Sequence, residues 1–379
     1  MKVLFQGRVD LNVLGGGDKI QIENTASELR KLGVDVDIST SLTTDYSPYD
    51  LIHVFQLDWT PESYLYAKKS KKYNKPLVLS PIHHSIKEVE LFDKRSTYGI
   101  YRKISGKLLW KQSQRDTLKN LFKSIYFFPK IYPTLVSVFM GLHNMQRTAL
   151  QLADYVLVQT NIEVALLKES YGVEFKWEKV QNGVASHFLN FKAPNSDLHP
   201  TLKIKDYLLC VGRVEARKNQ LAIIEAVENL RKSTNIDFNL VFVGVLSEQK
   251  HQTYVRCFLR LVEQHSWITY LGQVPYVDIP EYIHYASVGV SASWFESTGL
   301  TSLDAVICGA NAVATGEQAR EYLGDLAYYC NPADVSSISA AILKAYNAPK
   351  PQIQKELISS YTWENAANQT LEVYKKLLG

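Results

Sequence analysis

Cysteine is scarce. Four occur in 379 residues (Cys210, Cys257, Cys308 and Cys330), all in the second half and none with C-x-x-C spacing. That excludes a disulfide framework and a zinc ribbon and points to buried, reduced thiols. Long apolar runs are missing too: no stretch approaches the ~18 consecutive apolar residues of a spanning helix. The start, Met1-Lys2-Val3-Leu4-Phe5, runs straight into a strand-like segment. It leaves no room for the basic and apolar regions of a secretory signal, so the expected compartment is cytoplasmic. The chain also lacks low-complexity tracts and solenoid-period repeats. Hydrophobic residues make up 46% and charged residues 21%, which excludes a disordered or fibrous chain. At roughly 100–200 residues per domain, the length suggests two domains.

Acid is lacking in one place. Between Lys94 and Lys130 ten Lys/Arg accompany a single acid, Asp116, so this segment carries +9 while the whole chain carries +4. Such asymmetry implies a local anionic partner. No recognition motif accompanies the charge, so nucleic acid is not expected.

What is present is β/α alternation, twice over. Val3–Phe5, Leu51–Phe55, Leu77–Leu79 and Tyr155–Val158 read as buried parallel strands. The first leads to a helix over Asp18–Leu32, with Asp18 and Gln21 as a capping box and Gly33 as its stop. The pattern restarts with strands at Tyr207–Val211, Leu240–Val243, Ile268–Leu271, Val288–Ser291, Ala312–Ala314 and Leu326–Cys330. A helix covers Gln220–Lys232, Ser186–Asp206 is the linker, and Tyr361–Leu378 is helical again. The expectation is an α/β protein with two doubly wound, Rossmann-like domains facing an interdomain cleft. Their spans are 1–190 and 191–360. A C-terminal helix, 361–379, packs back on the first domain.

Open α/β sheets bind ligands beyond the carboxyl ends of their strands. After the first strand comes Gly15-Gly16-Gly17, where free N–H groups at a helix start favour an anion. After the strand at Tyr207 come Gly212-Arg213 and then Lys218, two cations suited to a diphosphate. After the strand near Ser291 comes Trp294-Phe295-Glu296-Ser297-Thr298-Gly299-Leu300, then Asp304. Here turn amides could hold phosphate and the acids could accept sugar hydroxyls. Asp35-Val36-Asp37 spells the D-x-D of metal-dependent transferases, but it reads as alternation on an edge strand.

Together these motifs resemble the retaining glycosyltransferases of family 4 (group 1), which have the GT-B fold, over Lys2 to about Leu378. The resemblance rests on Gly16-Gly17, Gly33, Asn182-Gly183-Val184, Arg213 with Lys218, Tyr270–Val274, Glu296 through Asp304, and Cys308-Gly309-Ala310. It implies that Arg213 and Lys218 neutralise the leaving diphosphate, aided by the amides of Gly299 and Leu300. Glu296 would bind the transferred sugar, and Gly16 and Gly17 would approach the sugar-phosphate. Thr298, Asp304 and Val274 would complete the donor site. His83 or His84 would face the donor sugar, since alternation admits only one of them. Asp304 stands where the family has Glu, and Thr298 where it has an aromatic residue.

The resemblance further implies a nucleotide-diphosphate sugar donor as substrate, with no cofactor and no metal. The acceptor would be a saccharide or lipid-linked saccharide of cell-surface polysaccharide (O-antigen, capsule or lipopolysaccharide). Two alternatives are a GT-B nucleotide-sugar epimerase and a non-catalytic sugar- or nucleotide-binding relative. In the basic segment, Lys107, Lys111, Arg115, Lys119 and Lys123 repeat at i+4 as a cationic stripe. Leu118, Leu121, Phe122 and Ile125 occupy another face, with Tyr126-Phe127-Phe128 following. This pattern fits docking of segment 94–130 on an anionic membrane surface, with the protein peripheral at its inner face.

Overall fold

The computed structural model describes residues 1–95, 112–352 and 355–379, which form two compact units. Unit 1 comprises Met1–Ile86, the described part of 104–183, and Ser360–Gly379; unit 2 comprises the described part of 87–103 and Val184–Ser359. The division thus falls at 183/184, where the sequence suggested 190/191, and residues 87–95 group with unit 2.

Unit 1 is built on six parallel strands: β1 (Lys2–Gln6), β2 (Asp35–Ser39), β3 (Leu51–Phe55), β4 (Leu77–Ser80), β5 (Tyr155–Val158) and β6 (Trp177–Lys179), in the order β2-β1-β3-β4-β5-β6. Successive side chains of β1 enter opposite layers. Val3 and Phe5 pack with Ile22, Ala26 and Leu29 of helix α1 (Gly17–Lys31). Leu4 packs with Tyr66 and Ala67 of α2 (Glu62–Lys72). Burying both faces is what makes these strands continuous apolar runs, each large side chain contributing ~1.5–3 kcal/mol. Asp35 and Asp37 lie on the edge strand β2, 3.5 and 3.2 Å from the Lys2 ammonium.

The Asp18–Gln21 capping box does not form. Arg8 donates to the Asp18 carboxylate at 2.6 Å, a charge-assisted bond stronger than a neutral cap, and Gln21 accepts from Gln159 at 2.9 Å. Gly33 does stop the helix, at φ +83°. The C-terminal helix, Trp363–Leu378, joins the β1 core through Ala366, Ala367, Val373 and Tyr374. Asn182-Gly183-Val184 owes its glycine to this helix: a Cβ on Gly183 would lie 2.2 Å from the backbone of Thr362 and Trp363. Tyr374 and Ser80 hydroxyls bracket the His53 ring at 2.6 and 2.9 Å, and burial lowers that histidine to about 3.

After β4 the chain enters α3 (Ile86–Arg95) and, beyond the undescribed residues, α4 (Gln112–Tyr126) and α5 (Ile131–Met140). Here the structure reverses the expectation. Helix α4 buries Gln112, Arg115, Asp116, Asn120 and Ser124, and exposes Phe122, Ile125 and Tyr126. Arg115 is therefore not part of a solvated stripe, Lys130 is likewise buried, and Lys107 and Lys111 lie outside the described residues. The inward polar groups bond to their surroundings: Asn120 donates to the Trp59 carbonyl at 3.0 Å and Gln112 to Asp116 at 3.1 Å. Helix α6 (Asn161–Tyr171) follows β5, capped by the Thr160 hydroxyl.

Unit 2 holds β7 (Tyr207–Val211), β8 (Leu240–Val243), β9 (Ile268–Tyr270), β10 (Ala286–Val290), β11 (Asn311–Ala314) and β12 (Tyr328–Tyr329), parallel in the order β12-β11-β10-β7-β8-β9. The expected strand at Leu326–Cys330 shrinks to two residues because Gly324–Leu326 coil into a 3₁₀ turn. Helix α7 (Gln220–Ser233) follows β7, α8 (Leu300–Ile307) follows β10, and α9 (Glu317–Leu323) follows β11. A Cβ on Gly289 of β10 would sit 2.6 Å from that of Ala305, so α8 rides directly on the strand. Strand order reverses between β7 and β10 here, and between β1 and β3 in unit 1. Ligand crevices open beside such switch points.

Candidate active site

Beyond the ends of β7 and β10, unit 2 assembles a half-buried ion cluster. Gly212 (φ +148°) and Gly244 (φ +143°) let the chain ends pass closely: a Cβ on Gly244 would lie 2.1 Å from the Gly212 carbonyl oxygen. A 3₁₀ turn, Ala216–Lys218, then presents two cations. The Lys218 ammonium lies 2.5 Å from Glu296 Oε1, and the Arg217 guanidinium 3.6 Å from the same oxygen. Arg217 also pairs with Glu215 at 3.1 Å and donates to the Phe295 carbonyl at 3.3 Å. Burial opposes the charge on Glu296, but Lys218 and Arg217 outweigh it and hold the carboxyl at about 2. Glu296 is therefore an anion at neutral pH, available to accept hydroxyl hydrogen bonds.

The remaining unit 2 residues surround this cluster. Arg213 is half-buried just after β7, its carbonyl accepting from the Gln220 side chain at 2.8 Å. Thr298 is buried, and Gly299, left-handed at φ +72°, opens α8 so that Leu300 is its first helical residue. The first-turn N–H groups of such a helix lack intrahelical acceptors and favour an anion. Asp304, on the next turn, is 7% exposed, and burial raises its carboxyl to about 8. Val274 is half-buried in the loop after β9.

Helix α3 also serves this unit. Phe92 packs its ring against Trp294 and Phe295 at 5.8 and 5.7 Å. Glu88 accepts from the Glu317 N–H; burial, with the Glu317 and Glu296 charges, raises it to about 7.

Unit 1 carries a second cluster beyond β3 and β4, centred on Asp58. One carboxylate oxygen lies 2.5 Å from His83 Nδ1; the other lies 2.9 Å from His84 Nδ1 and accepts the His84 N–H at 2.8 Å. Both histidines thus meet one acid. The strand ends at Ser80 and Ile82 turns left-handed at φ +50°, so strand alternation does not extend to the two histidines; His83 is buried and His84 half-buried. Gln56 (φ +74°) and Trp59 (φ +45°) are also left-handed. Three such non-glycine residues around one carboxylate mark stored strain of the kind found at functional sites.

Burial opposes the charged forms of Asp58 and His83, but their mutual attraction wins, lowering Asp58 and raising His83. Glu163 fixes the loop by accepting the N–H groups of His83 and Gln159, both at 2.7 Å, and burial raises its carboxyl to about 7. The His84 ring stacks on Trp59 at 5.3 Å.

Gly16 and Gly17 stand beyond β1. A Cβ on Gly16 would meet only the Asp18 carboxylate at 3.0 Å, and one on Gly17 nothing within 4 Å, so the protein's own packing does not require these glycines. Beside them Arg8 bridges Asp18 and Asp10 at 2.6 and 2.5 Å, and buried Lys130 pairs with Asp10 and Glu62 at 3.0 and 3.4 Å. Burial opposes the charge on Asp10, but Lys130 and Arg8 lower it to about 2.

Sequence reasoning missed Arg217, Asp58, Glu163, Glu88 and the Arg8 cluster. Arg217 adjoins Lys218, so a charged pair before a helix was the available signal. Asp58 is flanked by ordinary residues and gave none. Among the described residues no group of three or more His, Cys, Asp or Glu could hold a metal ion.

Residues 196–360 match the family model described as Glycosyl transferases group 1. A 183-residue stretch is 30% identical to O-antigen chain mannosyltransferase B of Escherichia coli, covering 45% of this chain and about half, 46%, of that protein. Sucrose-phosphate synthase from Thermosynechococcus elongatus superposes with a TM-score of 0.74 at 16% identity, over 100% of this chain and 99% of its own. An Anabaena protein solved in complex with UDP gives a TM-score of 0.68 at 15% identity, over 99% and 100%. The chain has the GT-B fold, and the region that matches the group 1 glycosyl transferase model lies almost wholly in unit 2.

Proposed function

We propose that this protein is a retaining glycosyltransferase that moves a sugar from a nucleotide-diphosphate donor to a saccharide or lipid-linked saccharide. The observation that carries this reading is the Glu296–Lys218–Arg217 cluster at the switch point of the second sheet, inside the matched region. Transfer breaks the bond between the anomeric carbon and the diphosphate, and the electron pair stays on a phosphate oxygen. Charge grows there in the transition state, and Lys218, Arg213 and the α8 amides of Gly299 and Leu300 neutralise it. Fixed cations take the part a metal would play, and no cofactor is used. Glu296, kept ionised by its neighbours, accepts hydroxyls of the transferred sugar. Asp304 grips the ribose, Thr298 and Val274 line the nucleotide, and Gly16 and Gly17 leave room for the sugar-phosphate.

In unit 1, Asp58 accepts hydrogen bonds at Nδ1 of His83 and His84, which fixes the orientation of both rings beside the sugar site. Asp58 is thus a positioning residue. The mannosyltransferase likeness supports a role in cell-surface polysaccharide synthesis at the cytoplasmic face of a membrane. The test is release of nucleoside diphosphate from UDP-, GDP- and ADP-sugars, with Glu296→Ala as control. Turnover by the wild type and not the variant supports the reading; hydrolysis or transfer unaffected by Glu296→Ala overturns it.

A further inference from the structure

Helices α4 and α5 are amphipathic the wrong way round for a protein in water. In α5 the buried residues are Pro133, Thr134 and Ser137, while Ile131, Tyr132, Leu135, Val138 and Phe139 lie outward at i, i+1, i+4, i+7 and i+8. Those spacings form one stripe about 120° wide at 100° per residue. Ile125 and Tyr126 at the end of α4, and Phe128 in the turn between the helices, extend it. Tyr126, Phe128 and Phe139 are 88%, 77% and 87% exposed. Those three rings alone present on the order of 400–600 Å² of largely apolar surface, at the size where a patch on a monomer marks an interaction site.

The charge around the stripe selects its occupant. From residue 96 to residue 153 the sequence holds one acid, Asp116. That acid is buried, accepting from Gln112 and paired with Lys119 at 3.1 Å. Lys119 and Lys123 are half-buried, Arg147 is exposed, and no exposed carboxylate belongs to these helices. A two-fold contact with a second copy would bring cations against cations. An anionic lipid surface instead offers headgroups to the cations and acyl chains to the aromatic residues.

We propose that the outward face of α4 and α5, centred on Tyr126, Phe128, Tyr132 and Phe139, inserts into the headgroup–acyl boundary of an anionic bilayer. This face differs from the cationic stripe read from the sequence, because the helix turns its polar side inward. The proposal does not depend on the donor chemistry: it concerns unit 1, and its test contains no nucleotide.

The test is flotation of the full chain with phosphatidylcholine vesicles, with and without phosphatidylglycerol. The comparison variant is Tyr126→Asp/Phe139→Asp, whose exposed positions leave the core untouched. A second readout is the emission of Phe139→Trp. Expected are binding to the phosphatidylglycerol vesicles only, at least a tenfold loss in the double variant with an unchanged melting curve, and a blue shift of the new tryptophan on lipid. Equal flotation of wild type and double variant overturns the proposal. So does a wild-type dimer that the double variant makes monomeric, with no lipid binding by either.

Discussion

The two units solve one electrostatic problem with different residues. Each sets a carboxylate beyond its sheet, half-buried in unit 2 and buried in unit 1, and pins two basic side chains to it: Glu296 with Lys218 and Arg217 in unit 2, Asp58 with His83 and His84 in unit 1. In unit 2 the Arg217 guanidinium stays charged at any working pH, held by Glu215 and Glu296 against burial. In unit 1 the Asp58 carboxylate raises His83 against the burial that opposes its charge, and an imidazole can hold or pass on a proton. The backbones differ as well. Around the Glu296 cluster the left-handed positions are Gly212, Gly244, Gly299 and Asn219, whereas around Asp58 they are Gln56, Trp59 and Ile82.

Removing the permanent-charge centre has the largest effect. Glu296→Ala removes the carboxylate that Lys218 and Arg217 share, while Arg217 keeps Glu215, which costs about 3 kcal/mol of stability. Nucleotide-sugar turnover falls by about 10²–10³-fold, read by steady-state kinetics. Turnover near the wild-type value would break the parallel between the two clusters.

Asp58→Asn keeps the shape and removes the charge, at a cost of about 3 kcal/mol. The sign differs on the two sides of the pair. Asp58 is lowered, so its contribution is present above the ordinary aspartate range and fades as pH falls below it. His83 is raised, so its contribution is full below its unfolded value near 6.5 and is lost as pH rises through the folded one. Urea denaturation should therefore show the gap between wild type and Asp58→Asn widest from about pH 4 to 6.5 and narrowing on both sides. A gap independent of pH would reduce Asp58 to packing.

Asp304 sharpens the contrast from within unit 2, as a buried acid with no cation against it. Its carboxyl is raised to about 8, so the folded state prefers it protonated and stability falls as pH rises from about 4 to 8. Asp304→Asn should erase that fall, on the order of 2–3 kcal/mol once water penetration is allowed for. Calorimetric melts at pH 5 and 8 read it, and parallel wild-type and variant curves would contradict it. The smallest effect is a control away from both clusters: Tyr374→Phe removes one partner of neutral His53 and should cost about 1–2 kcal/mol with turnover unchanged.

The same contrast explains what could be read from the sequence. Buried parallel strands announce themselves as apolar runs, so β1, β3, β4, β5, β7 and β8 were legible, while the edge strand Trp177–Lys179 was not. Unit 2 was legible because its turns use glycine and its chemistry uses Arg, Lys and Glu in a fixed order. Asp58 was hidden because tertiary packing, not glycine, forces Gln56, Trp59 and Ile82 into left-handed turns. Without those turns the two histidines look like alternating strand residues. Helix α4 misled through its pattern: the 3.6-residue period is correct, but periodicity states that a helix has two faces and not which one the core takes.

The most direct measurement is thermal unfolding with UDP, GDP, ADP and CMP, on wild type and on Arg213→Ala. A nucleoside diphosphate at ~100 times its dissociation constant should stabilise the wild type by about 2.7 kcal/mol, and the variant should lose that response. No stabilisation by any of the four, or an Arg213→Ala response equal to the wild type, would contradict a donor site built on the cations that follow β7.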